Sequence, residues 1–173
     1  MVSELSGVKG RFLCTCFDKH GRMKWADTIN NLVVTVGKNL ALDTYLAGSA
    51  YTVTGPFMGL ISSVSFTAIV AGDTMASHGG WLEAGNANAP TYGAPRKTVT
   101  WNAASAGSKL ANGVAFAMSG AGTVKGCFIV FGSGAVSTID NTGGTLYSAG
   151  LFTQGDKTVG NGDTLNVTYT ASL

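Results

Sequence analysis

Apolar and polar residues alternate along residues 11–17, placing Phe12, Cys14 and Cys16 on one side and Leu13, Thr15 and Phe17 on the other. A period of two is the signature of a strand with one buried face. Asp18-Lys-His-Gly-Arg22 then supplies turn residues, with Gly21 free to take a positive φ. Residues 23–27 resume the pattern around Trp25, so the stretch predicts an N-terminal β-hairpin. Asn30-Asn31 punctuates the chain, and residues 32–36 form another β-branched run.

Residues 37–47 predict the one α-helix, with Thr35 as N-cap, an apolar stripe of Leu42, Tyr45 and Leu46, and Gly48 at C′. A second helical turn is expected at Asp73, whose side chain would cap Met75 and Ala76. Strands are predicted at 57–62, 64–69, 97–101, 114–118, 125–131, 145–153 and 163–170, with 83–95 as an ordered loop. In this set Val114, Phe116 and Met118 share a face, and 125–131 reads as buried on both. Glycine-rich or Asn-Gly breaks separate the later strands. Gly72-Asp-Thr-Met75 resembles Gly162-Asp-Thr-Leu165, but one would open a helical turn and the other a strand, which makes the match a coincidence on this reading. Many short strands at this spacing predict an all-β fold: a jelly-roll-like or Greek-key β-sandwich with an N-terminal β-hairpin and one short α-helix. Its expected division is a hairpin or arm at 1–35 and a sandwich at 36–173, or one continuous domain 1–173.

Composition adds a bias toward association. Hydrophobic residues at 45% rule out a disordered chain, whereas charged residues at 12% are about half the usual share of roughly 25%. A net charge of only +2 gives little repulsion between copies, so a homo-oligomer or larger assembly is expected. No apolar run approaches the roughly 20 residues that a membrane-spanning helix needs. The first ten residues carry Glu4 and Lys9 without an apolar core, which predicts no secretory leader. Three cysteines, Cys14, Cys16 and Cys127, are an odd set and read as reduced core thiols.

Chemistry-bearing motifs are missing from the sequence. No serine has glycine at both i−2 and i+2, and neither a phosphate-binding loop nor G-x-G-x-x-G occurs. His20 falls in the hairpin turn and His78 after the expected helical turn. Cys-x-Cys with one distant cysteine is not a zinc spacing. The expectation is a non-enzyme with no cofactor and no metal. Half of the twenty formal charges fall in residues 1–44, where Lys9, Arg11, Lys19, Arg22 and Lys24 lie near Phe12, Phe17 and Trp25. Asp18 and Asp27 interrupt that cluster, which favours docking on an acidic protein surface over a specific nucleic-acid site. The docking residues expected on this basis are Arg11, Lys19, Arg22, Lys24 and Trp25. Stacking of Trp81, Tyr92 and Trp101 on sugar rings is the alternative use of the aromatics.

The stretches Cys16-Phe-Asp-Lys-His-Gly-Arg-Met-Lys-Trp25, Asn30-Asn-Leu-Val-Val34, Val36-Gly-Lys-Asn-Leu40, Leu46-Ala-Gly-Ser-Ala-Tyr51 and Gly59-Leu-Ile-Ser62 resemble those of tailed-bacteriophage structural proteins. So do Ala71-Gly-Asp-Thr-Met-Ala-Ser-His78 with Gly80-Trp81, Gly144-Thr-Leu-Tyr147 and Asn161-Gly-Asp-Thr-Leu-Asn-Val-Thr168. The chain is similar to the capsid cement, or decoration, proteins of short-tailed phages. That resemblance implies a mostly β, jelly-roll-like virion protein without catalytic residues, assembled in the bacterial host cytoplasm and placed on the capsid surface. Its implied partners are the major capsid protein and copies of itself, with no membrane involved. A tail tube or fibre component and a carbohydrate-binding virion β-sandwich are the alternatives.

Overall fold

The structure, a computed structural model, describes residues 7–46, 54–93 and 95–172. Its elements in chain order are β1 (Lys9–Phe17), β2 (Met23–Asn30), β3 (Leu32–Val33), α1 (Thr35–Leu46), β4 (Phe57–Ser62), β5 (Lys97–Thr98) and β6 (Ser108–Leu110). Then follow β7 (Val114–Ala117), β8 (Gly122–Phe131), β9 (Thr145–Leu151), β10 (Lys157–Val159) and β11 (Thr164–Ser172). The first sheet has the order β2-β1-β11-β6, with β7 also beside β11. The second has the order β3-β9-β8-β4-β5, with β10 also beside β8. All pairings between these strands are antiparallel. The protein is an all-β sandwich with an N-terminal hairpin and one short helix.

Alternation in β1 does what its period requires. Phe12, Cys14 and Cys16 are fully buried, and Leu13 and Thr15 turn outward. The strand pairs along its whole length with β11, from Lys9↔Ser172 to Phe17↔Thr164, so the two ends of the chain meet inside one sheet. The hairpin is thus part of the first sheet, and its buried residues join Leu165, Val167 and Tyr169 of β11 against Met58, Leu60, Cys127 and Ile129 of the second sheet. Asp18 shapes the turn: its carboxylate accepts the amides of His20 (2.8 Å) and Arg22 (3.0 Å) and the Arg22 Nε–H (2.8 Å), with Gly21 at φ 78°. Hydrogen bonds from the Arg22 amide first, then from its side chain and the His20 amide, bring that carboxyl down to about 2.

The second sheet is buried on both faces, as the unbroken apolar run of β8 requires. Phe128 and Val130 point away from the sandwich core into a second cluster with Ile61, Leu146 and Ala149, roofed by Met75 and Trp81 and flanked by Phe66 and Ile69. Helix α1 packs along β9, where Gly37 lies so close to the Tyr147 backbone that any Cβ would collide with the Tyr147 carbonyl.

Several expected elements take a different form. Residues 64–69 make no strand: Ser65 has φ 50°, and the Thr67 and Ala68 amides bond the Gly80 carbonyl (2.8 and 3.2 Å), so the segment folds over the sheet as roof. The expected helical turn at Asp73 is absent, because its carboxylate takes the Val70 amide and the Trp81 indole N–H, each at 3.0 Å. The helix starts at Thr35, and Leu42 is 56% exposed, so no buried stripe runs through that position. The side chains of Tyr45 and Leu46, together with Ala47 and Gly48, lie outside the described residues. The expected strand at 97–101 shrinks to Lys97–Thr98, with Trp101 reduced to a single bridge to Ala111.

One ion pair clamps the roof. Arg96 is completely buried and grips Glu83 bidentately, Nε to Oε1 at 2.8 Å and Nη2 to Oε2 at 2.6 Å. Two of its three remaining N–H groups bond the carbonyls of Val136 (3.2 Å) and Asn141 (2.8 Å), and the Asp140 amide donates to Glu83 Oε2 (2.8 Å). The guanidinium also lies 5.4 Å from the Phe128 ring centroid. Segments from three parts of the chain are thereby tied together. Arg96→Ala leaves a buried, unpaired carboxylate and is expected to cost about 3–5 kcal/mol in urea unfolding. The double variant Arg96→Met/Glu83→Leu should lose less than either single change, because no charge is left stranded.

Candidate docking face

The first sheet keeps one face open. Its outward positions are Lys9, Arg11, Leu13 and Thr15 of β1, Thr164, Asn166, Thr168 and Thr170 of β11, Ala26, Thr28 and Asn30 of β2, Ala115 and Ala117 of β7, and Leu110 of β6. Each is exposed or half-buried, because alternation sends their neighbours into the core and no described element roofs them. Four strands across and nine residues along, the face spans about 600 Å². Lys9 and Arg11 supply its charge.

The edge of this face is fixed by buried carboxylates. Asp27, 4% exposed on β2, accepts the Thr28 amide (2.6 Å), the Thr153 hydroxyl (2.7 Å), the Gln154 amide (3.0 Å) and the Lys157 ammonium (3.0 Å). Together with the Ile29↔Phe152 bridge and the Thr153 amide on the Thr28 carbonyl (2.9 Å), it closes β2 onto the segment after β9. Asp163 receives the Gly160 amide at 2.6 Å and pairs closely with Lys24. That hydrogen bond raises the Lys24 ammonium above its ordinary value.

Asp163 and Asp73 build the same local structure. In each, the amide of the aspartate bonds the carbonyl three residues back, and its carboxylate accepts that residue's amide. The repeated Gly-Asp-Thr is therefore one turn used twice, and its reading as a coincidence is corrected. The spare capacity of the carboxylate differs: Asp73 holds Trp81, and Asp163 holds Lys24.

The five expected docking residues do not share one surface. Arg11 lies on the open face, whereas Lys19 and Arg22 sit in the hairpin turn, about 20 Å along the strand. Arg22 is bound to Asp18 and Lys24 to Asp163. Trp25 is half-buried, donates its indole N–H to the Thr158 carbonyl (3.1 Å) and sets its ring edge-on to Phe152 at 5.4 Å. Leu13 and Leu110, 50% and 46% exposed, also belong to the face; alternation in β1 marks the outward side of Leu13, but nothing local in the sequence marks Leu110.

The aromatics of the sugar-stacking alternative are mostly inside. Trp81 and Tyr92 are 1% and 2% exposed, and Trp101 lines an apolar cavity of about 620 Å³ with Phe131 and Tyr147. His78 stacks on Trp81 at 4.0 Å and donates Nδ1–H to the Trp81 carbonyl (3.0 Å). Cys14, Cys16 and Cys127 are free and buried. Burial, with Cys14 against it from the opposite sheet, pushes the Cys127 thiol far up, and burial with the nearby Asp163 brings Cys16 up to about 11. No group of three or more potential metal ligands occurs among the described residues.

Fold and face define a class: an antiparallel β-sandwich roofed on one sheet and open on the other. No protein-family model, curated protein or solved structure matches the chain.

Two outcomes follow from this geometry. Burial pushes the Asp27 carboxyl up, but the Thr153, Lys157, Thr28 and Gln154 donors outweigh it and hold it below its ordinary value. Its folded value being depressed, the stability it contributes is complete above about pH 4 and is lost as pH falls through the folded value. Asp27→Asn should cost about 2 kcal/mol at pH 7, with the gap to wild type narrowing in acid denaturation below about pH 4. The three thiols should stay inert to a thiol-titrating disulfide in the native protein and all react in denaturant; fast native labelling of any one would contradict the buried assignment.

Proposed function

We propose that this chain is a non-enzymatic virion protein of a tailed bacteriophage that decorates and cements the head. The observation that supports this reading is the contrast between the sheets: one is covered on both faces, and the other leaves a weakly charged face that no described element covers. A face of about 600 Å² is smaller than the roughly 800 Å² per partner of a stable binary complex. Such a contact suits an assembly in which symmetry repeats it many times. The resemblance to capsid cement proteins supports the same reading, as does the low overall charge, which tolerates broad contact with the major capsid protein and with copies of itself. Tightly knit ion pairs and a doubly buried sheet suit a rigid clip between shell subunits. On this reading the protein works at the capsid surface after assembly in the host cytoplasm.

Immunogold electron microscopy of virions from the phage that encodes the chain tests the proposal. Gold spread over the head is the expected result. Gold confined to the tail would overturn the head assignment in favour of a tube or fibre component, and unlabelled virions would overturn the structural role.

A further inference from the structure

We propose that Arg11, next to Leu13 on β1 and in one cross-strand row with Leu110, is the anchor of the open face, and that it seats on a carboxylate set within an apolar patch of a partner protein. This inference rests on the docking role proposed above and names the chemistry of the surface docked on.

The side chains sit together by register. Leu13 follows Arg11 by two residues on the same side of β1. Arg11 pairs with Thr170 of β11, and Thr170 pairs with Leu110 of β6, so Arg11 and Leu110 belong to one cross-strand row. Asn30 completes that row on β2. Arg11 thus has Leu13 and Lys9 as its same-side neighbours along β1, and Leu110 two strands across at about 10 Å, with the neutral Thr170 and Asn30 in its row. A planar, weakly hydrated cation framed by apolar surface is the usual make-up of an interface hot spot. Thr28, Thr168 and Thr170 beside Arg11 and Leu13 are small enough to let a partner close down and exclude water.

Charge pairing within the fold sets the sign of the partner. Five cations are taken by carboxylates: Arg22 by Asp18, Lys24 by Asp163, Arg96 by Glu83, Lys125 by Asp156 and Lys157 by Asp27. Six remain without a carboxylate among the described residues: Lys9, Arg11, Lys19, Lys38, Lys97 and Lys109. Only Asp43 and Asp140 are exposed carboxylates without a cation among the described residues. The five pairs cancel, so the unpaired groups carry the whole net charge of +2, and among the described residues of the open face Lys9 and Arg11 have no carboxylate beside them. A second copy of the same face would set Arg11 against an equally cationic patch. Duplex DNA fits poorly as well, because two cations on a flat face neutralise too few phosphates for strong binding.

The test uses full-length protein and heads purified from a mutant of the encoding phage that lacks this chain, with binding measured by co-sedimentation at 100 mM salt. Arg11→Ala should weaken binding about 30-fold or more, and Leu13→Ser and Leu110→Ser by about 5- to 10-fold each. All three positions are exposed, so thermal unfolding should stay close to wild type. Lys38→Ala, the same charge change placed on α1, should bind as wild type. Wild-type binding matched by all three face variants overturns the anchor while leaving the cement reading intact. Failure of wild type to bind overturns both. A loss with Lys38→Ala equal to that with Arg11→Ala would show a diffuse charge effect and overturn the anchor, as would tight binding of a 30-base-pair duplex at the same salt.

Discussion

The buried Arg96–Glu83 pair holds the molecule's asymmetry. It ties Glu83 and Arg96 to the Val136 and Asn141 carbonyls and the Asp140 amide, beside the layer that covers Phe128 and Val130. A guanidinium and a carboxylate taken wholly out of water are stable together only when every polar atom is satisfied. Here two direct bonds, two carbonyls and one amide do so. The roof they secure permits β8 to be apolar on both sides, and it leaves the first sheet as the one with an open face.

That division explains how the few charges are used. Five carboxylates are spent on internal pairs, and several set backbone geometry at the same time: Asp18 in the hairpin turn, Asp27 at the closed edge, Asp163 beside β11. Internal pairing of the acids leaves cations at the surface. The same economy shows in the twin Gly-Asp-Thr turns, where the Oδ2 that accepts the turn amide also accepts an indole N–H in one and an ammonium in the other. A two-sheet body with one face left uncovered by the described elements is the geometry on which the proposed symmetry-repeated contact rests.

Local pattern was sufficient wherever a residue's partner is its neighbour in sequence. The hairpin, the one-sided burial of β1, the shared face of Phe116 and Met118, the two-sided burial of β8 and the all-β class follow from periods of two and from turn residues. It failed where a distant group captured a side chain. Residues 64–69 have strand composition but bond back to Gly80, and Asp73 has the look of a cap but is claimed by Trp81. Lys24 and Trp25 read as exposed docking groups until Asp163 and Phe152, more than a hundred residues away, engage them.

The chain by itself determined its fold class, its hairpin and the buried state of its thiols, because alternation and turn chemistry are local and act before any long-range contact. Tertiary structure alone decided which sheet would be covered, which charges would be paired within the fold, and that Arg11 and Leu110 would share one row of the open face. Those outcomes depend on strands about 60 to 160 residues apart becoming neighbours, and no period along the sequence carries that information.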